Sequence, residues 1–461
     1  MTSRTILALV LCSVLLVCSA CAKSGIKTED GMAEEYRPSL LKPLEPTELV
    51  FWHSMTGTVG EAFNAMISNY NQSVGKENGI KVTQVYQDND TIGQIKTAVK
   101  DNDYDNMPDI STITVSDIPA IMNLKVTVRA ESFIKDKKSL ISKKNFYPNM
   151  LEAATYQDQL IGVPIIHSTL MLYYNVDRLK EVGFDRPPAT MDEMTTYLRA
   201  LVVKEGSSVR QYGLTMQTTR YQLTNFIVSQ FNDSYMGDYQ GGRIAPMTKV
   251  TFGEDGTLRN FLTKLDDWVK TGNYKFVEDN INEEFTSGES AMAMMPSSRM
   301  DTIKSLVGDS FEWNTAYIPK VNSTDTSGAS IGGSSLIMFN RGDHNKLTAA
   351  WSFIEYVTSA EVQAELAAAT GYLPVNVQSE NLEVMKEFYE ANPQYKVALD
   401  QMKASSPNAQ EPFDLVNREI DNVVKAIILR FCEGYLTVDE AIEELVQSYN
   451  NALDNYHRTN F

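Results

Sequence analysis

Between Glu48 and Ile113 the apolar positions fall into short continuous runs separated by stretches with helical spacing. Glu48-Leu49-Val50-Phe51-Trp52-His53 reads as a short buried strand, and Phe63, Met66, Ile67 and Tyr70, at intervals of three and four, give one face of a helix. A second strand over 80–86, a second helix over 92–99 and a third strand over 108–113 complete a β-α-β-α-β order. That alternation predicts a parallel sheet with helices on both faces. Ligands of such sheets gather outside the carboxyl ends of the strands, where loops lead into helix N-termini.

The stretch from Leu160 to Asn175 is the most unusual in the chain. It predicts two short strands, 160–163 and 169–174, joined through an extended segment, because the residue before Pro164 avoids the helical region. His167, Ser168 and Thr169 interrupt an apolar run there. Buried polar groups are costly unless paired, so they face either a polar cavity or nearby carbonyls. Beyond this stretch, helical patterns cover 176–183, 191–203 (opened by a capping box, Thr190 with Glu193), 262–270 and 282–287. The run 290–295 is a strand whose methionines are core filler rather than metal ligands. A strand over 331–338 begins with Gly332 and Gly333, which marks a bulge or the close approach of another backbone or a ligand. Helices over 346–358 and 360–370 follow, the latter ending at Gly371 as a C-cap. A long helix over 415–431 and a last one over 438–456, opened by Thr437 with Glu440, finish the chain. In the 415–431 helix Phe413, Val416, Ile420, Val424 and Ile427 form the apolar stripe, so Arg418 lies on the opposite face, solvated or turned to a cleft.

Length and charge narrow the picture. At 461 residues the chain suits two large lobes, and 43% hydrophobic with 22% charged residues is a globular composition. The net charge of -18 repels polyphosphates, which argues against a nucleic-acid partner and makes isolated arginines near a pocket significant. Cys12, Cys18 and Cys21 lie at the N-terminus and Cys432 stands apart, so no disulfide framework or zinc pair is expected. Residues 1–20, with Arg4 and an apolar run over 6–17, read as a secretory signal peptide. The Ser19-Ala20-Cys21 ending resembles a bacterial lipobox, with Cys18 in place of the usual aliphatic residue, and marks Cys21 as a lipidation site. Residues 21–47, with Pro38, Pro43 and Pro46, read as a lipidated N-terminus and tether. His53, His167, His344 and His457 form no HExxH or paired-ligand spacing, and no Walker, dinucleotide-binding or Gly-x-Ser-x-Gly motif is present. Adjacent strand residues such as His167 and Ser168 point to opposite faces, which disfavours a hydrolytic pair. No enzyme activity and no cofactor are expected.

Phe51-Trp52-His53-Ser54-Met55, Gly162-Val163-Pro164 with Leu172-Tyr173-Tyr174-Asn175, Gly288-Glu289-Ser290-Ala291-Met292, Ile331-Gly332-Gly333-Ser334-Ser335-Leu336 and Thr370-Gly371-Tyr372-Leu373-Pro374-Val375 occur in a characteristic order. In these blocks the chain resembles the extracellular solute-binding proteins of family 1 of ABC importers, most closely those for glycerol-3-phosphate. The resemblance implies an α/β, two-lobed periplasmic-binding-protein-like fold of type II, each lobe a mixed sheet flanked by helices. It also implies an N-terminal lobe of 48–165 plus 296–333, a C-terminal lobe of 166–295 plus 334–461, and crossings near 165–168, 295–297 and 332–335. The family's phosphate-holding positions fall on Ser168, Gly333, Tyr372 and Arg418, and on Ser297 with a one-residue offset, the strict position being Pro296. Hydroxyl and amide donors with one arginine are what a phosphate needs.

The departures lie at the alcohol end of the ligand. Asp90 stands where the family has a tyrosine, Val115 (followed by Ser116 and Asp117) where it has a glutamate, and Thr218 where it has a tryptophan, with Tyr221 nearby to supply an aromatic face. Asp90 is either a contact for hydroxyls or a cationic head, or a solvated turn residue. The implied function is a monomeric substrate-binding lipoprotein, exported and membrane-anchored through its lipid, that captures a small phosphoester by lobe closure and docks on ABC permease subunits. A neutral sugar or oligosaccharide is the alternative ligand. A surface lipoprotein serving adhesion is a further reading, which saturable binding of a small ligand would exclude.

Overall fold

The computed structural model describes residues 43, 45–87, 90–277 and 279–460. The signal peptide 1–20, the lipidation site Cys21 and most of the tether lie outside the described residues.

Three parallel strands open the first lobe, as the alternation requires. β1 (Thr47–His53) pairs residue for residue with β2 (Ile80–Tyr86), and on its other edge with β3 (Ile110–Thr114). α1 (Gly57–Gln72) buries Phe63, Met66, Ile67 and Tyr70, and α2 (Thr91–Asp101) buries Ile95 and Ala98. The strand that follows, β4 (Val163–Asn175), is one continuous element of 13 residues rather than two short strands. The pairing slips between Pro164 and Ile166, a bulge that absorbs the proline without ending the strand.

The second lobe contains α3 (Met191–Leu201), β5 (Leu214–Met216), α4 (Arg220–Val228), α5 (Thr257–Lys270), β6 (Tyr274–Phe276), α6 (Ile281–Thr286), β7 (Met292–Pro296), α7 (Met300–Val307) and β8 (Trp313–Ala316). The chain returns through β9 (Ile331–Phe339) to α8 (His344–Val357) and α9 (Ala360–Thr370), then runs on through α10 (Pro393–Ala404), α11 (Asn417–Cys432) and α12 (Val438–Asn460). Hydrogen bonding orders the strands β6-β5-β7-β4-β9-β3-β1-β2. β4 is shared: Val163 to Thr169 pair with β9, Leu170 to Tyr174 with β7, and Leu172 to Asn175 with β8 on the opposite edge.

This topology corrects the expected division into 48–165 plus 296–333 and 166–295 plus 334–461. Residues 296–330 stay with the second lobe, because α7 packs on α6 and β8 pairs with the second half of β4. Residues 334–338 pair with β3, and α8 and α9 pack on β1 and α1, so this segment belongs to the first lobe. The crossings are therefore β4, the start of β9, and the passage from Gly371 towards α10 and α11; the one expected at 295–297 is absent. Sequence order alone cannot say which sheet a strand joins.

Two apolar cores result. One joins Phe51, Phe63, Trp351 and Phe353 beneath the first sheet and continues under β4 to Met171, Tyr173 and Phe285. The other gathers Phe226, Phe261, Trp268, Phe252 and Tyr449 with α11 and α12. Each such side chain contributes on the order of 2–3 kcal/mol by leaving water. Met292, Met294 and Met295 are core filler, as expected, and the Cys432 thiol is pushed up to about 12 by burial.

Candidate functional site

The backbone around the crossing brings four of the expected residues together. Ser168 stands opposite Gly332, and His167 opposite Gly333, in the β4–β9 register. Gly333 has φ +126°, and a Cβ there would collide with the Ile166 carbonyl oxygen and come within 2.7 Å of His167 Cα, so only glycine fits. The Ser297 hydroxyl accepts from the Thr169 amide at 3.2 Å. The Leu373 amide donates to the His167 carbonyl at 3.0 Å, which fixes Tyr372 beside the same strand. Burial raises the Tyr372 phenol pKa, and a hydrogen bond shared with Ser298 offsets part of that. The buried Thr169 hydroxyl donates to the Ser330 carbonyl and the Gln401 amide donates to the Leu170 carbonyl, while His167 Nε2 on the same strand is buried without a partner. His167 is fully buried with Nδ1 3.0 Å from the Gly332 carbonyl, and burial lowers its pKa to about 4. A neutral ring then donates from Nδ1, tying the two crossing strands together.

Arg418 lies elsewhere in the cleft. Phe413, Val416, Ile420, Val424 and Ile427 are all buried, and Arg418, at the second position of α11, points away from them with its side chain 59% exposed. Its Nη2 donates to Asp117 Oδ2 at 3.3 Å, and Asn417 Nδ2 donates to the Ser116 carbonyl at 2.9 Å and to Asp117 Oδ1 at 3.2 Å. Ser116 and Asp117 follow β3 in the first lobe and α11 belongs to the second, so these bonds span the cleft. The Asp117–Arg418 pair divides two hollows. One of about 360 Å³ is lined also by Ser116, Arg220, Tyr221, Asn417 and Asp421. The other, of about 140 Å³, is lined also by Ser54, Thr91, Ile92, Thr112 and Thr114, at the carboxyl ends of the first-lobe strands.

Asp90 is the N-cap residue of α2, exposed, with its carboxylate over Gly93; the next two residues line the smaller hollow. Thr218 is fully buried, so it offers no face to the cleft. Tyr221 links the two groups of residues: it lines the larger hollow with Arg418, and its Cε2 lies 3.5 Å from where a Cβ on Gly332 would stand. Ser168, Gly333, Ser297 and Tyr372 thus gather at the hinge but line neither of these two hollows, whereas Arg418 with Asp117 forms a rim that borders both; Tyr221, beside Gly332, lies between the two groups. A larger hollow of about 820 Å³, bounded by Val74, Leu140, Glu355 and Tyr356 among others, lies within the first lobe. It touches no residue of the second lobe and so cannot couple binding to closure.

Arg220 and Glu411 escape a reading of the sequence. Arg220 Nη2 donates to Glu411 Oε2 at 2.8 Å, and both side chains are buried. Burial drives the Glu411 pKa upward, while Arg220 opposes the shift. The signal that could have placed them is the Thr219 to Gln222 capping box, which sets Arg220 and Tyr221 in the first turn of a helix. Among the described residues no group of His, Cys, Asp and Glu is arranged to hold a metal.

Comparison with known proteins agrees with this architecture. Residues 65–397 match the model of the bacterial extracellular solute-binding protein family. The sn-glycerol-3-phosphate-binding periplasmic protein UgpB of Salmonella typhimurium is 25% identical, over 90% of this chain and 94% of its own length. That of Pectobacterium atrosepticum is 25% identical, over 90% and 93%. Among solved structures, the sugar-binding protein MalE from Xanthomonas citri superposes with a TM-score of 0.75 at 21% identity, over 90% of this chain and 99% of that one. UgpB from Mycobacterium tuberculosis in complex with glycerophosphocholine gives 0.71 at 17%, over 89% and 99%. These relatives are binding proteins rather than enzymes. Two lobes joined by shared strands around a polar cleft are what such proteins are made of, and the chain belongs to the bacterial extracellular solute-binding protein family.

Proposed function

We propose that this protein is the substrate-binding lipoprotein of an ABC importer and that it captures a small phosphoester: glycerol-3-phosphate, a glycerophosphodiester such as glycerophosphocholine, or a sugar phosphate. The observation that carries this reading is the Asp117 carboxylate on the Arg418 guanidinium, 3.3 Å across the cleft. Arg418 takes an anion from the opposite lobe, and a ligand phosphate bound there would replace a resident carboxylate with a charge-assisted contact of the same kind. Ser168, Ser297, Tyr372 and the Gly333 backbone supply neutral donors on the hinge side. Because the surface charge of -18 repels an anion at long range, capture depends on these local groups. Closure follows as a population shift: a solute touching both walls stabilises the closed form through contacts that the open form lacks, and the closed form docks on the permease. Lipid on Cys21 would hold the monomeric protein at the membrane.

A neutral sugar is the second reading, favoured by the Tyr221 ring beside Gly332 and the likeness to MalE. A thermal-shift screen of glycerol-3-phosphate, glycerophosphodiesters and neutral oligosaccharides separates the two. Stabilisation by phosphoesters alone supports the first reading, and stabilisation by oligosaccharides alone supports the second.

A further inference from the structure

Arg220 is buried to 6% exposure, yet its Nη1 has no hydrogen-bond partner; the Asp414 carboxylate oxygen is 4.0 Å away. The Tyr221 hydroxyl is likewise buried and unpartnered. Unpaired buried donors are costly, and both residues line the larger cleft hollow. Facing them is Glu411, whose Oε1 lies 3.6 Å from where a Cβ on Gly332 would stand. A side chain at 332 would therefore occupy the space between the Tyr221 ring and the carboxylate, and the glycine keeps it open.

The charges decide what can enter. Arg220 already faces two carboxylates, Glu411 and Asp414, so a further anion would be repelled there. The first amides of α4 offer an anion nothing either: Arg220 N donates to Asp421, and Tyr221 N and Gln222 N donate to the Thr219 hydroxyl. A hydroxyl suits such a mixed set, because it can donate to Glu411 while accepting from Arg220 Nη1 or Tyr221, and a second hydroxyl can meet the remaining donor. We propose that Arg220, Tyr221 and Glu411 form the hydroxyl-reading part of the cleft, holding a polyol portion of the solute against the Tyr221 ring while Arg418 takes the charge. This rests on the cleft's taking a small solute, and it assigns the two ends of that solute to different residues.

The test compares glycerol-3-phosphate with n-propyl phosphate, which lacks both hydroxyls, by calorimetry on the wild type, Tyr221→Phe, Glu411→Gln and Arg418→Ala. The wild type should prefer glycerol-3-phosphate by roughly tenfold or more, because the analogue leaves buried polar groups unpaired. Tyr221→Phe, which keeps the ring and the fold, and Glu411→Gln should each shrink that preference severalfold, whereas Arg418→Ala should weaken both ligands equally. An undiminished preference in Tyr221→Phe and in folded Glu411→Gln would overturn the assignment. If the wild type binds neither phosphate but binds maltose, the phosphoester reading fails, and the same two variants decide the present proposal: severalfold weaker maltose binding supports it and unchanged binding overturns it.

Discussion

The hinge and the rim beside it are built on opposite plans. At the hinge, Ser168 and Gly333 are held by backbone pairing, Tyr372 by the Leu373 bridge to His167 and Ser297 by the Thr169 amide, and the key group, Gly333, is fixed by φ +126° and the nearby Ile166 carbonyl. At the rim, Asp117, Asn417 and Arg418 meet only through side chains, one of them 59% exposed. Hinge geometry can hardly vary without breaking the fold, whereas rim residues can be exchanged at small cost. The contrast predicts that a change of ligand is made at the rim rather than at the hinge. The departures from the family's pattern, at Asp90, Val115 and Thr218, all lie away from the hinge wall.

Breaking the hinge should have the largest effect. Gly333→Ala is expected to destabilise the protein by roughly 3–5 kcal/mol, since strain at positive φ and a backbone collision act together. A urea titration checks this, and a loss below about 1 kcal/mol would mean that the hinge wall is as adaptable as the rim.

Acid should attack the same wall through His167. Burial lowers its pKa to about 4 in the folded protein against about 6.5 for a free imidazole, so the ring is neutral in the fold and takes up a proton more readily once unfolded. Its contribution is fully present above pH 6.5 and is lost as the pH falls from 6.5 through 4, a total of about 3 kcal/mol. Unfolding free energies measured across that range should fall more steeply for the wild type than for His167→Asn.

Rim changes should be gentler and should alter affinity more than stability. Asp117→Asn removes a partly exposed pair worth about 0–1 kcal/mol and frees Arg418, so phosphoester binding should tighten by roughly twofold to fivefold. Calorimetry reads this directly; weaker binding would show Asp117 to be a solute contact rather than a resident competitor. Asp90→Asn should change stability by no more than about 0.5 kcal/mol, because Asp90 is exposed and its side chain makes no cap hydrogen bond. A changed ligand ranking in that variant would move Asp90 from the helix cap into the binding set.

Much of this was legible in the sequence where local chemistry decides the structure. The capping box Thr437–Glu440 forms as read, with reciprocal bonds, whereas Thr190 accepts from the Glu193 amide but the Glu193 carboxylate turns to the Ala189 amide and Arg186. The helix over 360–370 ends at Gly371 with φ +71°. The apolar stripe of α11 correctly turned Arg418 away from the core. What stayed hidden depends on distant partners. A buried strand reads the same whether whole or broken, so β4 was split, and strand order gave no sign that β9 returns to β3. The Arg220–Glu411 pair joins residues 191 apart, and no local pattern announces it.

The central claim, that the closing lobes grip an anionic phosphoester at Arg418, is tested most directly by calorimetric titration of glycerol-3-phosphate and glycerophosphocholine into the wild type and Arg418→Ala. A charge-assisted contact worth roughly 2–3 kcal/mol predicts saturable one-to-one binding of at least one of them, weakened tenfold to a hundredfold in the variant. Phosphoester affinity equal in the two proteins, or absent from a wild type that binds a neutral oligosaccharide, would contradict it.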